Sequence, residues 1–248
     1  MTSSGGSGLF AGFDAVGEGA RLLRRPAVRP YVLIPVAINI LVLIVGGWAL
    51  YRTLADSVGG ALPPDYAWLR YLVLPLLFIA LAMGGFLLFS LLANLLATPF
   101  NGLLCEAILR ELEPGTAPPP VRGLWDEVRL GLRGEWAKGR YLLKLLIPAI
   151  LLWLVPGANA LSVIVWPLVG IWVLTLEYLD GVLGNQGQPF PAALHWMRTQ
   201  RGLCLGAGIP LFLLTAVPGV NVVAMPLGVA TASVLYSRHL RPALPRHG

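Results

Sequence analysis

The pentapeptide Val-Pro-Gly-x-Asn occurs twice in this chain, at 155–159 and at 217–221, each time inside a long uncharged apolar stretch. Proline removes a backbone donor and collides with the preceding helical turn, and glycine permits the left-handed turn that follows. Backbone groups freed in hydrocarbon are costly unless protein or water satisfies them, and broken helices often mark ion routes. The sequence therefore predicts that the chain reverses at two structural turns, which are formed by Pro156, Gly157, Pro218 and Gly219.

The composition indicates an integral membrane protein. Of the 248 residues, 56% are hydrophobic and only 12% are charged, against about 25% charged in soluble domains. We expect one membrane domain, residues 1–248. Of the 18 Lys and Arg residues, only Arg52 and Arg70 lie in the 51–70 connection. By the positive-inside bias, the four regions that hold the others are predicted to face the cytoplasm. These are the N-terminal arm, 98–144, 177–202 and the C-terminal tail.

Two segments are predicted to be full transmembrane helices. Residues 31–51 carry no charge and have tyrosines at both ends, and residues 71–97 form a second uncharged run. Each is long enough to span a core of about 30 Å at about 1.5 Å per residue. The second helix is expected to continue to about residue 112.

Amphipathic helices are expected at the membrane surface. In residues 1–30, apolar side chains recur at helical spacing and a basic turn follows, although Gly12, Gly17 and Gly19 weaken the helix. Residues 121–140 are predicted to form another interfacial or cytoplasmic helix.

The segments 145–176 and 203–236 are predicted to be re-entrant hairpins. Each would be about 50 Å long as one helix, which is too long for one span and too short for two. Broken at Pro-Gly, each gives two arms of roughly 16–25 Å that enter the bilayer and turn back. The alternative is a pair of kinked full spans with tight turns. The predicted fold class is thus an all-α integral membrane protein with two transmembrane helices, two partly penetrating hairpins and amphipathic helices.

Charged residues near the apolar segments suggest a route for an anion. Glu106 and Arg110 have the i, i+4 spacing of a helical ion pair, and could be a solvated pair, a pore lining or a subunit contact. Arg129 and Arg133 belong to an arginine stripe on 121–140, which could bind lipid phosphates or line the anion route. We therefore treat Glu106, Arg110, Arg129 and Arg133 as a candidate pore or internal network.

The basic turn 24–29 precedes a helix that is predicted to start near Pro30. A helix N-terminus with arginines beside it suits an anion, although positive-inside anchoring would explain the same charges. The chain has no catalytic constellation, metal-ligand spacing or glycine-rich phosphate loop. We accordingly expect no enzymatic activity, no cofactor, no metal and no nucleic-acid partner.

Several of these signatures together resemble the CysZ sulfate permease family. Residues 98–106 read Thr-Pro-Phe-Asn-Gly-Leu-Leu-Cys-Glu, which is similar to that family's A-P-F-N-G-L-L-x-E. Glu135-Trp136-Ala137-Lys138 resembles its E-W-x-K. The paired Pro-Gly turns, the 177–180 run Glu-Tyr-Leu-Asp and Pro189-Phe190 follow in the family's order.

The resemblance implies a multi-pass protein of the bacterial inner membrane that imports sulfate for cysteine biosynthesis as an oligomer. It places the sulfate site before the first transmembrane helix, where Arg29 matches the first arginine of the family pattern and Pro30 replaces the second. Arg24 and Arg25 could supply the missing charge. The implied sulfate-binding residues are Arg29, Arg24, Arg25, Val28 and Ala27. The expected partners are sulfate, membrane lipids and further copies of the chain, and the rival function is a membrane scaffold whose arginines bind only lipid headgroups.

Overall fold

The computed structural model describes residues 5–61, 68–115, 124–217 and 220–241, and these residues form eight α-helices and no strand. The helices are α1 (Gly5–Leu23), α2 (Arg29–Ala61), α3 (Arg70–Leu112), α4 (Leu124–Leu154), α5 (Ser162–Asn185), α6 (Phe190–Thr199), α7 (Arg201–Thr215) and α8 (Asn221–Leu235). A 3-10 turn, Asn159–Leu161, precedes α5, and a π-helical turn, Tyr236–Leu240, follows α8. The prediction of an all-α protein is confirmed.

The chain divides into two compact units. The smaller unit, Pro30–Phe100, consists of nearly all of α2 and the first part of α3. The apolar stretch Arg29–Ser57 is long enough to cross a membrane, and its most apolar window is 0% buried. Leucine, isoleucine and valine side chains exposed all around a helix are expected where lipid covers them. The rings of Tyr51 and Phe78 meet edge to face at 6.4 Å and tie the two helices of this unit together.

The larger unit contains Met1–Arg29 and Asn101–Gly248. Its core lies among α1, α5, α7, α8 and the end of α3. Leu104, Ile108, Leu176, Leu211 and Leu235 are among its fully or almost fully buried side chains. Within this unit α1 packs closely against α7 and α8. A helix that was expected to lie in the membrane interface is thus also a part of the protein core.

The chain breaks at the first Pro-Gly pair, as its local chemistry requires. α4 ends at Leu154, Gly157 adopts φ +85°, and the amides of Ala158 and Asn159 both donate to the carbonyl of Val155. The indole Nε1 of Trp172 on α5 then donates to the hydroxyl of Tyr141 on α4 over 2.7 Å. These two residues lie at similar distances on either side of the turn, so α4 and α5 form an antiparallel hairpin.

The second break has the same place in its segment. α7 ends at Thr215 and α8 begins at Asn221, and the two helices pack against each other. The predicted turn residues Pro218 and Gly219 lie outside the described residues. Each of these helices has 15 residues, or about 22 Å.

The first hairpin differs from the prediction in the length of its arms. From residue 124 onwards, the predicted interfacial helix 121–140 is continuous with the first arm from residue 145, in one helix, α4, of 31 residues. The second arm, α5, has 24 residues, or about 36 Å, so the predicted arm length of 16–25 Å is wrong for this hairpin. The acidic residues Glu177 and Asp180 end the apolar run but not the helix, and both pair with Lys138. The stretch Asn159–Asn185 is therefore also long and apolar enough to cross a membrane.

Candidate functional site

The basic turn between α1 and α2 is fixed by its own backbone. The amides of Val28 and Arg29 both donate to the carbonyl of Arg25 over 3.0 Å, and the amide of Arg25 donates to Leu22 over 3.0 Å. The Val28 side chain is 0% exposed and anchors the turn in the core. The backbone N–H of Val28 thus already has an acceptor within the turn, whereas the backbone N–H of Ala27 has no acceptor among the described residues.

The arginines of this turn are not equivalent. Arg24, Arg25 and Arg29 are all exposed. Arg25 pairs with Glu111 near the end of α3, with 2.6 Å between Nη1 and Oε2. Within the described residues, neither Arg24 nor Arg29 makes a side-chain hydrogen bond or an ion pair. Their guanidinium groups are therefore available to an oxyanion without first leaving a carboxylate, and guanidinium suits tetrahedral oxyanions because its donors form a planar fork.

The four residues of the predicted internal network do not form one connected network in the described structure. Glu106 and Arg110 form the expected i, i+4 ion pair on α3, at 3.3 Å. Arg129 and Arg133 are exposed on α4, and no ion pair joins either of them to another described residue. Trp125 and Trp136 of the same helix are 82% and 71% exposed. Exposed tryptophans beside arginines are typical of a membrane–water boundary.

A cluster of charges that sequence reasoning did not assemble joins the two arms of the first hairpin. The Nζ of Lys138 on α4 lies 2.8 Å from Asp180 and 3.3 Å from Glu177 on α5, and 3.2 Å from Glu135 on its own helix. The Lys138 side chain is only 12% exposed. Burial by itself would lower the pKa of Lys138, but the hydrogen bond to Asp180, the charges of Asp180 and Glu177 and the hydrogen bond to Glu135 outweigh burial and raise it.

Lys138 therefore stays protonated at any physiological pH, and the four residues act as a clasp at the open end of the hairpin. We call Glu135, Lys138, Glu177 and Asp180 the lysine clasp. The signal for it was present in the sequence, because these charges flank the Pro-Gly turn at similar distances, about five turns before it and about six after it. Antiparallel pairing across that turn brings such residues together.

The Asn101-Gly102 run of α3 has a packing role in this structure. The side-chain amide of Asn185, at the end of α5, donates to the Gly102 carbonyl over 3.3 Å, and Asn101 approaches the Met225 sulfur of α8 at 3.7 Å. Leu104, one turn further along, is buried. This run thus joins α3 to α5 and α8 and helps to position the part of α3 that carries Glu106, Arg110 and Glu111.

The described residues hold no group of three or more His, Cys, Asp or Glu side chains that could bind a metal ion. Cys105 and Cys204 are both buried and both free.

Comparison with known proteins gives a consistent result. The family described as "Sulfate transporter CysZ/Etoposide-induced protein 2.4" matches residues 15–226. A protein of Pseudomonas paraeruginosa (strain DSM 24068 / PA7) named sulfate transporter CysZ is 32% identical over 236 residues, which cover 92% of this chain and 95% of that protein. The protein of the same name from Pseudomonas aeruginosa (strain LESB58) matches with the same identity and the same coverage.

Proposed function

Because this chain belongs to the Sulfate transporter CysZ/Etoposide-induced protein 2.4 family, we propose that it is a permease that carries sulfate across the bacterial inner membrane. The imported sulfate would supply cysteine biosynthesis. The family is one of transporters and not of enzymes. The full-length match to proteins named sulfate transporter CysZ is the observation that carries this proposal.

The basic turn is the proposed capture site. By its motif resemblance, Arg29 matches a family arginine, and its exposed guanidinium has no acidic partner among the described residues. Arg24 is equally exposed and offers a second guanidinium from the other side of Pro26. The Ala27 amide adds a neutral donor. Two guanidinium groups and an amide match the charge and the oxygen acceptors of a sulfate dianion.

The route beyond the capture site is proposed to use the charges at the end of α3. Glu106 orients the guanidinium of Arg110 through their ion pair and offsets part of its positive charge. Arg110 can therefore donate hydrogen bonds to a passing anion without binding it tightly. Arg129 and Arg133 would extend the route, or bind lipid headgroups, along the exposed face of α4. Assembly of several copies of the chain in a multi-pass arrangement is part of the same proposal.

Uptake of labelled sulfate into liposomes tests the function, with calorimetry on the purified protein as the binding measurement. A charged hydrogen bond contributes about 1.5–3 kcal/mol, so Arg29→Ala should weaken sulfate binding by roughly one to two orders of magnitude. Arg29→Lys should restore only part of the affinity, because an ammonium group lacks the guanidinium fork. Arg24→Ala and Arg25→Ala together should weaken binding more than either change alone.

Arg201→Ala is the matched control, because Arg201 is also an exposed arginine in the first turn of a helix. It should leave both affinity and uptake unchanged. No sulfate uptake by the intact protein would favour the scaffold function over the permease. Normal uptake with unchanged affinity in the triple alanine variant of Arg24, Arg25 and Arg29 would instead move the capture site elsewhere on a working permease.

A further inference from the structure

A charged cleft lies beside the basic turn, within the unit that contains Met1–Arg29 and Asn101–Gly248. Its volume is about 340 Å³. It lies where α1 and α3 end and where the π-helical turn Tyr236–Leu240 follows α8. Five charged side chains line it, namely Glu18, Arg21, Arg25, Glu111 and Arg238. A cleft of this size is sufficient for a small ligand.

The cleft is lined by more positive than negative side chains. Glu111 pairs with Arg25 at 2.6 Å, and Glu18 pairs with Arg238 at 2.9 Å. Arg21 has no carboxylate partner in the described parts of the chain, and only its Nε is engaged, with the Gly17 carbonyl of its own helix over 3.3 Å. Two carboxylates thus face three guanidinium groups, which leaves one positive charge and the terminal donors of Arg21 unused.

The arginines lie nearer to solvent than the acids that hold them. The side chains of Arg25 and Arg238 are 58% and 55% exposed, whereas those of Glu111 and Glu18 are 27% and 30% exposed. The guanidinium groups are therefore the more solvent-accessible charges of the cleft, and each of these two is held by a carboxylate. Arg238 is carried by a π-helical turn, a rare geometry that occurs frequently at functional sites.

We propose that this cleft is a second binding site for a tetrahedral oxyanion, in which Arg21 is the principal ligand and Arg25 and Arg238 contribute further donors. The proposal rests on the proposed function, because it assigns the same class of ligand to a second site. Arg25 belongs both to the basic turn and to the cleft, so an anion captured at the turn can pass to the cleft while Arg25 stays in contact with it. Glu111 competes with the anion for Arg25.

This arrangement predicts opposite effects for two substitutions. Sulfate is titrated into purified protein that carries Arg29→Ala, so that the capture site does not dominate the signal. Arg21→Ala in this background should weaken the remaining binding by about ten- to a hundredfold. Glu111→Gln should strengthen it by about five- to tenfold, because the change removes a negative charge and frees Arg25.

Arg201→Ala is again the control, since its Nε also donates to a backbone carbonyl, that of Arg198 over 3.2 Å. It should change neither affinity nor melting temperature. A purely structural ion pair at Glu111 would lower the melting temperature on substitution without any gain in sulfate affinity. That result, together with unchanged binding in Arg21→Ala, would overturn the proposal.

The phosphate of a lipid headgroup has the same chemistry as sulfate, and a second measurement separates the two sources. Native mass spectrometry with phosphatidylglycerol reports lipid that remains bound. Two results together would identify the oxyanion as lipid phosphate. The Arg29→Ala protein would bind no sulfate, and the Arg21→Ala protein would retain less lipid than the Arg201→Ala protein. Binding is measured here without transport, so the cleft can be supported even if uptake fails. Unchanged lipid retention and unchanged sulfate binding in Arg21→Ala would exclude both sources.

Discussion

At the scale of single residues, the glycines of α1 illustrate how one residue type serves different purposes. A Cβ at Gly12 would lie 2.6 Å from the Ala207 amide nitrogen and 2.8 Å from the Gly206 carbonyl carbon, whereas a Cβ at Gly17 would meet nothing within 4 Å. Gly206 in turn faces the backbone of Leu9. Small residues that let two helix backbones approach closely are typical of helix contacts within membranes.

This difference gives a matched pair of substitutions on one helix. Gly12→Ala forces α1 away from α7 and should destabilise the protein by about 1–3 kcal/mol, as overpacking does. Gly17→Ala should be neutral or stabilise by up to about 1 kcal/mol, because alanine favours helix over glycine. Thermal unfolding of the purified protein in detergent measures both. Equal melting temperatures for the two variants would contradict the close contact between α1 and α7.

At the scale of helices and hairpins, proline alone does not break this chain. Pro148 and Pro167 lie inside α4 and α5, and Pro210 and Pro226 lie inside α7 and α8. The helix ends instead where proline is followed by Gly157 with its positive φ. Glycine reaches that conformation without steric cost, so the pair can reverse the direction of the chain.

The turn is testable by its effect on the distance between the arms. Replacement of Pro156-Gly157 by Leu-Leu should favour a straight helix through this segment. Spin labels at two exposed positions, Leu143 on α4 and Leu168 on α5, would then move apart towards about 38 Å, the length of 25 helical residues. Pro148→Leu is the control and should leave the short distance unchanged. A short distance retained in the Leu-Leu variant would show that packing, and not the turn, sets the hairpin.

The lysine clasp gives a second prediction at this scale. Lys138→Met leaves Asp180 and Glu177 without their cation in a site where Asp180 is 15% exposed. Loss of the cation from this partly exposed cluster should cost about 1–3 kcal/mol, which corresponds to a fall in melting temperature of about 2–12 °C. Lys144→Met is the control, because Lys144 is exposed on the same helix. Similar melting temperatures for both variants would show that the clasp does not hold the hairpin.

At the scale of the whole molecule, the direction in which the chain crosses the membrane follows from its charges. The positive-inside bias predicts that residues 56–65, which include the end of α2, face the periplasm and that 121–140, 185–200 and the C-terminus share the cytoplasm. The apolar stretch Asn159–Asn185, which includes α5, is long enough to span the bilayer. The first hairpin is therefore re-entrant only if the C-terminal end of α5 lies on the cytoplasmic side.

Single-cysteine labelling with a membrane-impermeant reagent decides this arrangement. A cysteine at Asp56 should react from the periplasmic side, and a cysteine at Gln186, just after α5, should react only once the membrane is opened. Buried Cys105 and Cys204 provide the background signal. Periplasmic labelling at position 186 in a uniformly inserted population would mean that α5 crosses the membrane completely, and the re-entrant hairpin would be rejected.

The sequence alone determined the properties that depend on a few neighbouring residues. Uncharged runs predicted apolar helices, Pro156-Gly157 predicted a break, and the spacing of Glu106 and Arg110 predicted an ion pair, because hydropathy, turn chemistry and helical period act locally. The family was also recognisable from short motifs. The ends of the helices were less predictable, since α5 continues past the charged residues Glu177 and Asp180 to Asn185.

Only the tertiary structure decided which distant groups meet. Arg25 and Glu111 lie 86 positions apart in the chain, and Glu18 and Arg238 lie 220 positions apart. No periodicity in the sequence links such residues, because their contact depends on how whole helices pack. The same packing brings Gly12, which lowers the intrinsic helix propensity of α1, into close contact with the backbone of α7. Local sequence thus placed three arginines in the turn between α1 and α2, and helix packing determined that Glu111 engages Arg25 while Arg24 and Arg29 face solvent.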